Sequence, residues 1–467
     1  MCIIKTSKII KNNAVLVTSL LLYMLFFGIW YCSVNLATVT DYAELLFPWI
    51  IVSLLIQMYS FLRLYKVPKI DMGLWFVFLT YLFMFGYVFI DFFGLQSSLL
   101  WTPIKEYTQP LLFNAVSYVN VSLNMFTLGY LLSYKRNPDI HRRKVGRNTD
   151  YDAKTFRIGI LLCIVGGVCQ LITSVNLVTT TQSADSYSAY SQASNVGIID
   201  DISFLFVPGI IYLLTSRRLS RSKAFILTGF VVGYFSAIML LSGSRKTQLF
   251  GMLVVVLCYL HTYKPPKFRL YKKVILVLGG TVLLNMVYVI RENRMSLSQV
   301  IPEFFKSLSN MEFLKNLIPE TLAETGITVC SVASIMHCVP QIFPYDYGIS
   351  IFRSIISILP IGWLMPDFFV QASTTTTINE YLNLPVGASI FGDFYWCWGL
   401  FGILFAFLFG RLLSIVSVKL QNKSYEVYFS IFYIILMGVR AGVFEIVRPL
   451  FIVVFVPWFF GYILRRK

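Results

Sequence analysis

Charged residues are scarce in this chain. Only 13% of its 467 residues are Asp, Glu, Lys or Arg, whereas 57% are hydrophobic and 16% are aromatic. A soluble globule of this size needs more polar surface, and the uncharged runs here approach the roughly 20 residues that span a bilayer. The composition therefore excludes a soluble fold and predicts an all-α polytopic membrane protein.

Potential metal ligands are also few. The chain has three histidines, none with a partner at metal-ligand spacing, and its eight cysteines form no metal-binding pattern. We therefore expect no metal and no other cofactor. A net charge of +17 is compatible with nucleic-acid binding, but most basic residues lie in short loops at helix ends. There they orient helices and meet anionic headgroups, so membrane lipids are the expected partner and nucleic acid is not.

Twelve apolar segments predict a bundle of transmembrane helices that forms one integral-membrane domain over residues 1–467, with both termini inside. With this topology, 29 of the 39 Lys and Arg residues are cytoplasmic and ten are on the outer side, a bias that determines the orientation. The predicted spans are 14–33, 44–62, 72–93, 111–133, 156–177, 200–216, 224–242, 247–263, 274–290, 388–413, 427–444 and 449–464.

The ten outer cations are the exceptions to the charge bias, and most of them are arginines. A guanidinium group matches phosphate oxygens in a planar fork, so the outer arginines predict a pyrophosphate site. Taken singly, each Arg is equally well explained as a side chain reaching a lipid headgroup or as the partner of a nearby acid. The predicted pyrophosphate-binding residues are Arg245, Lys246, Arg291, Arg294, Arg440 and Arg448.

Two outer loops differ from ordinary connectors. Residues 291–387 form a loop too long for a simple connection, with an amphipathic helix expected over 297–318 and a re-entrant or interfacial segment over 349–364. The second loop, 178–199, has no Lys or Arg and is rich in hydroxyl and amide side chains. It is either an ordinary solvated loop or a surface that contacts carbohydrate, to which Tyr187 and Tyr190 would supply aromatic faces.

If the predicted pyrophosphate is the leaving group in a transfer onto a hydroxyl, the site also requires a base. Several acidic residues predicted on the outer side are candidates. Asp393 is predicted near the outer end of the span 388–413, where an acid is costly unless it has a partner or a function. A salt bridge to one of the arginines is the alternative role for Asp393. Glu324 is the other preferred candidate, and Glu320, Glu380, Glu445 and His337 are weaker ones.

Three local stretches carry a resemblance to a known family. LLSGSRKTQLFG (240–251), ETGITV (324–329) and GASIFGDFYWCWGLFG (387–402), together with the topology, resemble the bacterial repeat-unit polymerases of the Wzy-dependent pathway, which include the O-antigen polymerases. In those relatives we expect Glu where Asp393 stands and Asn-Phe where this chain has Cys397 and Trp398. This departure puts a required role of these positions in doubt.

The resemblance implies a metal-independent glycosyltransferase of the bacterial inner membrane with a periplasmic active face. Its substrates would be an undecaprenyl-pyrophosphate-linked glycan donor and a similar acceptor, and a chain-length regulator is a further expected partner. In that case Arg245 and Arg291, with Arg440 or Arg448, would bind the pyrophosphate, and Asp393 or Glu324 would take the proton.

Three other functions compete with this hypothesis. An O-antigen ligase shares the twelve-helix plan, the large outer loop and the donor. A lipid-linked oligosaccharide flippase or other transporter typically shows two similar halves and charge in the middle of the membrane, neither of which is evident here. A membrane acyltransferase would carry a His or Ser nucleophile assembly, and none is evident.

Overall fold

The computed structural model describes most of the chain. The described ranges are 2–95, 103–134, 149–183, 197–243, 246–264 and 278–463, without residues 283, 287–301, 303–304, 307–308, 360, 362–363, 372, 374 and 384–386. Within these ranges every regular element is helical, which confirms the predicted all-α class.

The helices follow one another with short turns between many of them. In chain order they are α1 (Cys2–Ser33), α2 (Tyr42–Tyr59), α3 (Met72–Phe92), α4 (Gln109–Ser133), α5 (Thr149–Ser183), α6 (Ile198–Ser203), α7 (Phe206–Thr215), α8 (Arg221–Ser242), α9 (Lys246–Tyr263), α10 (Met311–Gly326), α11 (Val329–Cys338), α12 (Ile349–Ile356), α13 (Pro366–Val370), α14 (Ile390–Trp398), α15 (Gly402–Lys423), α16 (Tyr425–Met437) and α17 (Val443–Ile463).

Nine helical segments of the described chain are long and apolar enough to cross a membrane. Two further predicted spans correspond to shorter apolar helices, Thr247–Tyr263 and Tyr425–Met437, and most of the predicted span 274–290 lies outside the described residues. The number twelve therefore stays a prediction. The nine segments are Asn12–Ser33, Tyr42–Leu64, Met72–Phe92, Gln109–Ser133, Asp150–Thr181, Ile198–Thr215, Arg221–Ser242, Ile390–Lys423 and Val443–Ile463.

Two predicted spans were wrong in their internal structure. The span 388–413 is not one uninterrupted helix, because a 3-10 turn at Gly399–Phe401 separates α14 from α15 and Gly399 adopts a positive φ of 57°. The span 427–444 ends early, since α16 stops at Met437 and residues 438–442 are not helical. A glycine stands at each end of this segment, and glycine is a poor helix former.

The two outer loops are described only in part. Helix α5 continues to Ser183, so the loop predicted over 178–199 begins later than expected, and residues 184–196 lie outside the described residues. Part of the amphipathic segment predicted over 297–318 also lies outside them, namely 297–301, 303–304 and 307–308, and α10 begins at Met311.

The chain divides into two compact units. The first contains Met1–Pro138, Leu322–Asn422 and Gly438–Glu445, and the second contains Asp139–Thr321, Lys423–Met437 and Ile446–Lys467. In the first unit, α3 and α4 form the centre, since 78% of the most apolar stretch of each is buried. The corresponding buried share is 22% for α1 and 33% for α2, so these helices keep most of their apolar surface for lipid.

Polar side chains inside the first unit bond to one another across helices. The Gln57 Nε2 atom donates to Asn124 Oδ1 at 3.0 Å, and Asn124 Nδ2 donates to Ser53 Oγ at 2.8 Å. Thr127 Oγ1 donates to Gln57 Oε1 at 3.0 Å, and all four side chains are fully buried. Because hydrocarbon offers no hydrogen-bond partners, this network fixes how α2 and α4 pack.

A second buried network holds the Lys- and Arg-rich side of the first unit together. Asp71 caps α3, since its Oδ1 accepts from Gly73 N at 3.0 Å, and the same atom accepts from the Tyr130 hydroxyl of α4 at 2.8 Å. Its Oδ2 accepts from Gln421 Nε2 of α15 at 3.2 Å. One carboxylate therefore joins three helices, and burial raises the pKa of Asp71 to about 6.

The raised pKa of Asp71 predicts a pH dependence of stability. A carboxyl group whose pKa is higher in the folded state contributes stability at pH values below its unfolded pKa, and this contribution is lost as the pH rises through about 6. The thermal midpoint of the purified protein, measured by scanning fluorimetry, should therefore fall as the pH rises from the ordinary Asp pKa of 3.8 to about 6, and should change little from this group at higher pH.

Asp71→Asn should remove this step because the amide oxygen still accepts hydrogen bonds but does not ionise. Asp71→Ala should lower the midpoint at every pH, since it leaves the buried Tyr130 and Gln421 donors without this acceptor, at a cost of roughly 3 kcal/mol. An unchanged pH step in Asp71→Asn would assign the titration to another group.

Candidate functional site

The candidate site centres on the non-helical segment 438–442 of the first unit, which reads GVRAG. Val439 and Ala441 are fully buried, so the segment is part of the protein interior and not a solvated loop. Arg440 lies between them with its side chain 22% exposed. The predicted span 427–444 includes this arginine, and the two flanking glycines explain why the helix ends before it.

The beginning of α14 fixes the segment 438–442 in place. Ile390 N donates to the carbonyl of Gly438 at 3.3 Å, and Val443 N donates to Asp393 Oδ2 at 2.5 Å. A Cβ atom on Gly442 would lie 2.6 Å from the same Asp393 oxygen, so only glycine permits this approach. The first turn of α14 thus holds both ends of the segment, one through the backbone of Ile390 and the other through the carboxylate of Asp393.

The Asp393 carboxyl group lies at the start of one helix and contacts the start of another. It is 5% exposed, lies in the first turn of α14, and accepts from the first backbone N–H of α17. Helix N-termini carry partial positive charge, which stabilises a carboxylate. A salt bridge with an arginine was the alternative to a role as base for Asp393, and the hydrogen bond that holds its Oδ2 comes from the backbone of Val443.

Glu324 faces Arg440 from α10. Arg440 Nη2 lies 3.6 Å from Glu324 Oε1, and the Glu324 side chain is 10% exposed. This separation is longer than a direct N–H···O hydrogen bond of about 3 Å, so the two groups form an ion pair without the bidentate geometry of a tight Arg–carboxylate contact. A guanidinium carries five N–H donors, and this ion pair leaves it able to bind a further anion.

Close backbone contact positions Glu324. A Cβ atom on Gly326 would lie 2.7 Å from Tyr87 N, and one on Gly86 would lie 2.5 Å from the carbonyl oxygen of Leu322. Helices α3 and α10 therefore touch through their backbones at these two glycines. The glycine in ETGITV follows Glu324 by two residues and brings the end of α10 against the central helix α3.

The structure therefore brings three sequence-predicted residues to one segment. Glu324 pairs with Arg440, and Asp393 holds the segment on which Arg440 lies. Because these residues are spread from 324 to 440 along the chain, the sequence did not predict that they are close in space. The signals available from the sequence were an acid near the outer end of a span at 393, an arginine on the outer side at 440 and an outer acid at 324.

Arg448 has a different partner. In the second unit its Nη2 atom lies 2.6 Å from Asp201 Oδ2, with side-chain exposures of 31% and 14%. The sequence analysis did not single out Asp201, although two adjacent aspartates at 200 and 201 interrupt an apolar segment. For Arg448, pairing with an acid was one of the alternatives, and its role in binding pyrophosphate stays a prediction.

The remaining four predicted site residues have no described side chain. Arg245, Arg291 and Arg294 lie outside the described residues, and Lys246 begins α9 without a described side chain. Their part in a pyrophosphate site stays a prediction.

The other outer acids and the histidine are dispersed. Glu320 is buried on α10, one turn before Glu324, whereas Glu380 and His337 are exposed. Among the described residues, no group of three His, Cys, Asp or Glu side chains is arranged to hold a metal ion.

The family comparison agrees with the resemblance of the local stretches. A family model described as O-antigen polysaccharide polymerase Wzy matches residues 15–465, a range that includes the segment 438–442 and both of its acidic neighbours. Neither a curated protein nor a solved structure gives a significant match. A model that matches nearly the whole chain shows the family. The chain therefore belongs to the Wzy family of O-antigen polysaccharide polymerases, bacterial inner-membrane proteins that polymerise lipid-linked O-antigen repeat units.

Proposed function

We propose that this protein joins undecaprenyl-pyrophosphate-linked repeat units at the periplasmic face by metal-independent glycosyl transfer. The single observation that carries the proposal is the ion pair between Glu324 and Arg440. It combines a buried carboxylate, which can take a proton, with a partly exposed guanidinium, which can bind a phosphate oxygen. The Wzy family match supplies the class of substrate.

The reaction needs one base and one anion-binding group. A hydroxyl oxygen of the acceptor sugar attacks the anomeric carbon of the donor glycan, and the bond from that carbon to the pyrophosphate oxygen breaks. The hydroxyl proton passes to Glu324, and the departing pyrophosphate takes the electron pair and is stabilised by Arg440. The donor is already activated by its pyrophosphate, so no nucleotide is required.

The ion pair also links donor binding to base strength. A carboxylate that faces a cation is a weak base, and it becomes a stronger base when the cation turns to another anion. When a pyrophosphate binds Arg440, Glu324 loses part of its counter-charge. Glu324 would therefore become an effective base only with donor in place.

Asp393 is better suited to positioning than to proton transfer. Its Oδ2 is occupied by the Val443 N–H at 2.5 Å, and helix N-termini stabilise its charge. Of the two acids that the sequence offered as base, the contacts favour Glu324. The role proposed for Asp393 is to hold Arg440 at the donor pyrophosphate.

The periplasmic location follows from the charge bias. The cytoplasmic end of α15 carries Arg411, Lys419 and Lys423, and α14 with Asp393 lies at the opposite end of this segment. By the orientation rule the basic end is inside, which supports an outer position for the segment 438–442.

A deletion strain distinguishes polymerase from ligase. Lipopolysaccharide from a strain that lacks this protein should show core carrying a single repeat unit, and a plasmid copy should restore the ladder of long chains. Loss of all glycan from the core would instead indicate a ligase. A normal ladder without the protein would contradict both functions.

Glu324→Gln and Arg440→Gln should each abolish the ladder while the protein level in membranes stays unchanged. Removal of a general base lowers the rate by about 10²–10⁴-fold, enough to leave only single repeat units. Arg440→Lys keeps the charge but loses the planar fork, so it should restore elongation only in part. Glu106→Gln, which alters an exposed acid in the outer turn before α4, is the matched control and should leave the ladder intact.

Asp393→Asn separates the positioning role from the catalytic one. An asparagine at 393 still offers an oxygen to the Val443 N–H, and the weaker neutral hydrogen bond should reduce elongation by about tenfold at most. Gly442→Ala should cause a larger loss, because its Cβ would lie within 2.6 Å of the Asp393 oxygen. Elongation in Asp393→Asn as low as in Glu324→Gln would assign the base to Asp393 instead.

Metal independence has its own test. Elongation of lipid-linked repeat units in isolated membranes should proceed at the same rate in the presence of a chelator such as EDTA. A chelator-sensitive rate that divalent cations restore would disprove a metal-independent mechanism.

A further inference from the structure

Helix α12 presents its apolar residues outward and its polar residues inward. The side chains of Ile349, Phe352 and Ile355, and of Leu359 in the turn that follows the helix, are all at least 50% exposed and recur every three or four residues. The opposite face carries Ser350, Ser354 and Ser357, none of which is more than 7% exposed. A helix on a water-exposed surface has the reverse arrangement, so the outer face of α12 is not built for water.

The inward face of α12 is fully bonded, so its orientation is specified by the protein. Ser350 N donates to Asp346 Oδ2 at 2.6 Å, and its hydroxyl lies 3.5 Å from the Cys397 sulfur. The Ser354 and Ser357 hydroxyls donate to backbone carbonyls within the helix at 2.7 and 2.6 Å. A rotation of α12 that buried its apolar residues would break the two contacts that Ser350 makes with Asp346 and Cys397, which lie outside the helix.

Backbone hydrogen bonds set the level of α12 relative to the membrane. Asp346 N donates to the carbonyl of Trp396 at 3.1 Å, and Tyr347 N donates to that of Cys397 at 3.0 Å. Trp396 and Cys397 lie in the last turn of α14, just before the break at Gly399–Phe401. The start of α12 is therefore attached to the chain where α14 meets α15.

That junction lies near the surface of the hydrocarbon. The segment Ile390–Lys423 has 34 residues, which at about 1.5 Å per residue is roughly 50 Å and exceeds a hydrocarbon core of about 30 Å. Helix α15 alone has 22 residues and is long enough to cross it. Leu400 and Phe401, at the junction, are 70% and 73% exposed, and Leu404 continues this exposed apolar side into α15. The apolar face of α12 is attached to a junction that itself faces lipid.

Arg353 lies at the edge of the apolar face of α12. By helical spacing it lies between the exposed Ile349 and the buried serines, and its guanidinium carbon is 5.0 Å from the centre of the Phe368 ring. Helices that lie in the membrane surface carry Arg or Lys beside the apolar face, where the charge reaches the headgroup phosphates. This outer cation is explained without a role in binding the donor pyrophosphate.

We infer that α12 is an interfacial helix whose apolar face, formed by Ile349, Phe352, Ile355 and Leu359, inserts into the phospholipid of the outer leaflet. Arg353 then meets the headgroup layer. Insertion anchors the segment that leads from α11 to α14 at the bilayer surface. The inference requires no enzymatic activity, so its failure would leave the proposed polymerase function unaffected.

Photocrosslinking in phospholipid vesicles tests this contact. The full-length protein carries benzoylphenylalanine at position 352 or 355, is reconstituted in vesicles of phosphatidylethanolamine and phosphatidylglycerol, and is irradiated. Both positions should give an adduct heavier by one phospholipid, at a yield comparable with that of benzoylphenylalanine at Leu404 on α15. The matched control is position 380, where the native Glu380 is exposed and, being charged, is expected to lie in water.

Yields at 352 and 355 no higher than at 380 would overturn the inference. Two positions are tested so that a variant that fails to fold does not decide the outcome. The same variants irradiated in detergent without phospholipid should give no such adduct, which identifies the crosslinked partner as leaflet lipid.

Discussion

The hydrocarbon of a bilayer offers no hydrogen-bond partner, and this constraint governs where polar side chains lie in this protein. Gln57, Asn124 and Thr127 bond to one another between helices, and Asp71 joins three helices near their ends. Apolar side chains are free to face outward, and most of the surface of α1 and α2 does so. The interior of the first unit is thus held by polar contacts as well as by packing, the reverse of a soluble core.

The same constraint applies to the backbone and the charged side chains of the candidate site. A backbone segment without helical hydrogen bonds is tolerated among apolar helices only if other groups satisfy it. At one end of the segment 438–442 the Gly438 carbonyl accepts from Ile390 N, and just after its other end the Val443 N–H donates to the Asp393 carboxylate. The segment in turn carries Arg440 to Glu324. An arginine and a carboxylate with limited access to water interact more strongly than they would at an exposed surface, which is what the proposed base and anion-binding pair requires.

Several features could be read from the sequence because they depend on composition and local order. Long apolar runs predicted the helical class, the end of an apolar span marked Asp393, and a predicted position on the outer side marked Glu324 and Arg440. One predicted span is interrupted and another ends early, because hydropathy does not register the backbone change at Gly399 or the end of α16 at Met437. The partner of Arg448 was missed as well, since Asp201 lies more than two hundred positions away in the chain.

The sequence by itself determined that this chain is an all-helical membrane protein, since the free energy of placing apolar residues in a bilayer depends on what the residues are and hardly on their neighbours. Only the tertiary structure decided which charges meet. Glu324 and Arg440 come together because Gly86 and Gly326 allow two backbones to touch and Gly442 admits the Asp393 carboxylate. Those contacts join residues far apart in sequence, and the strength of an electrostatic interaction depends on separations in space.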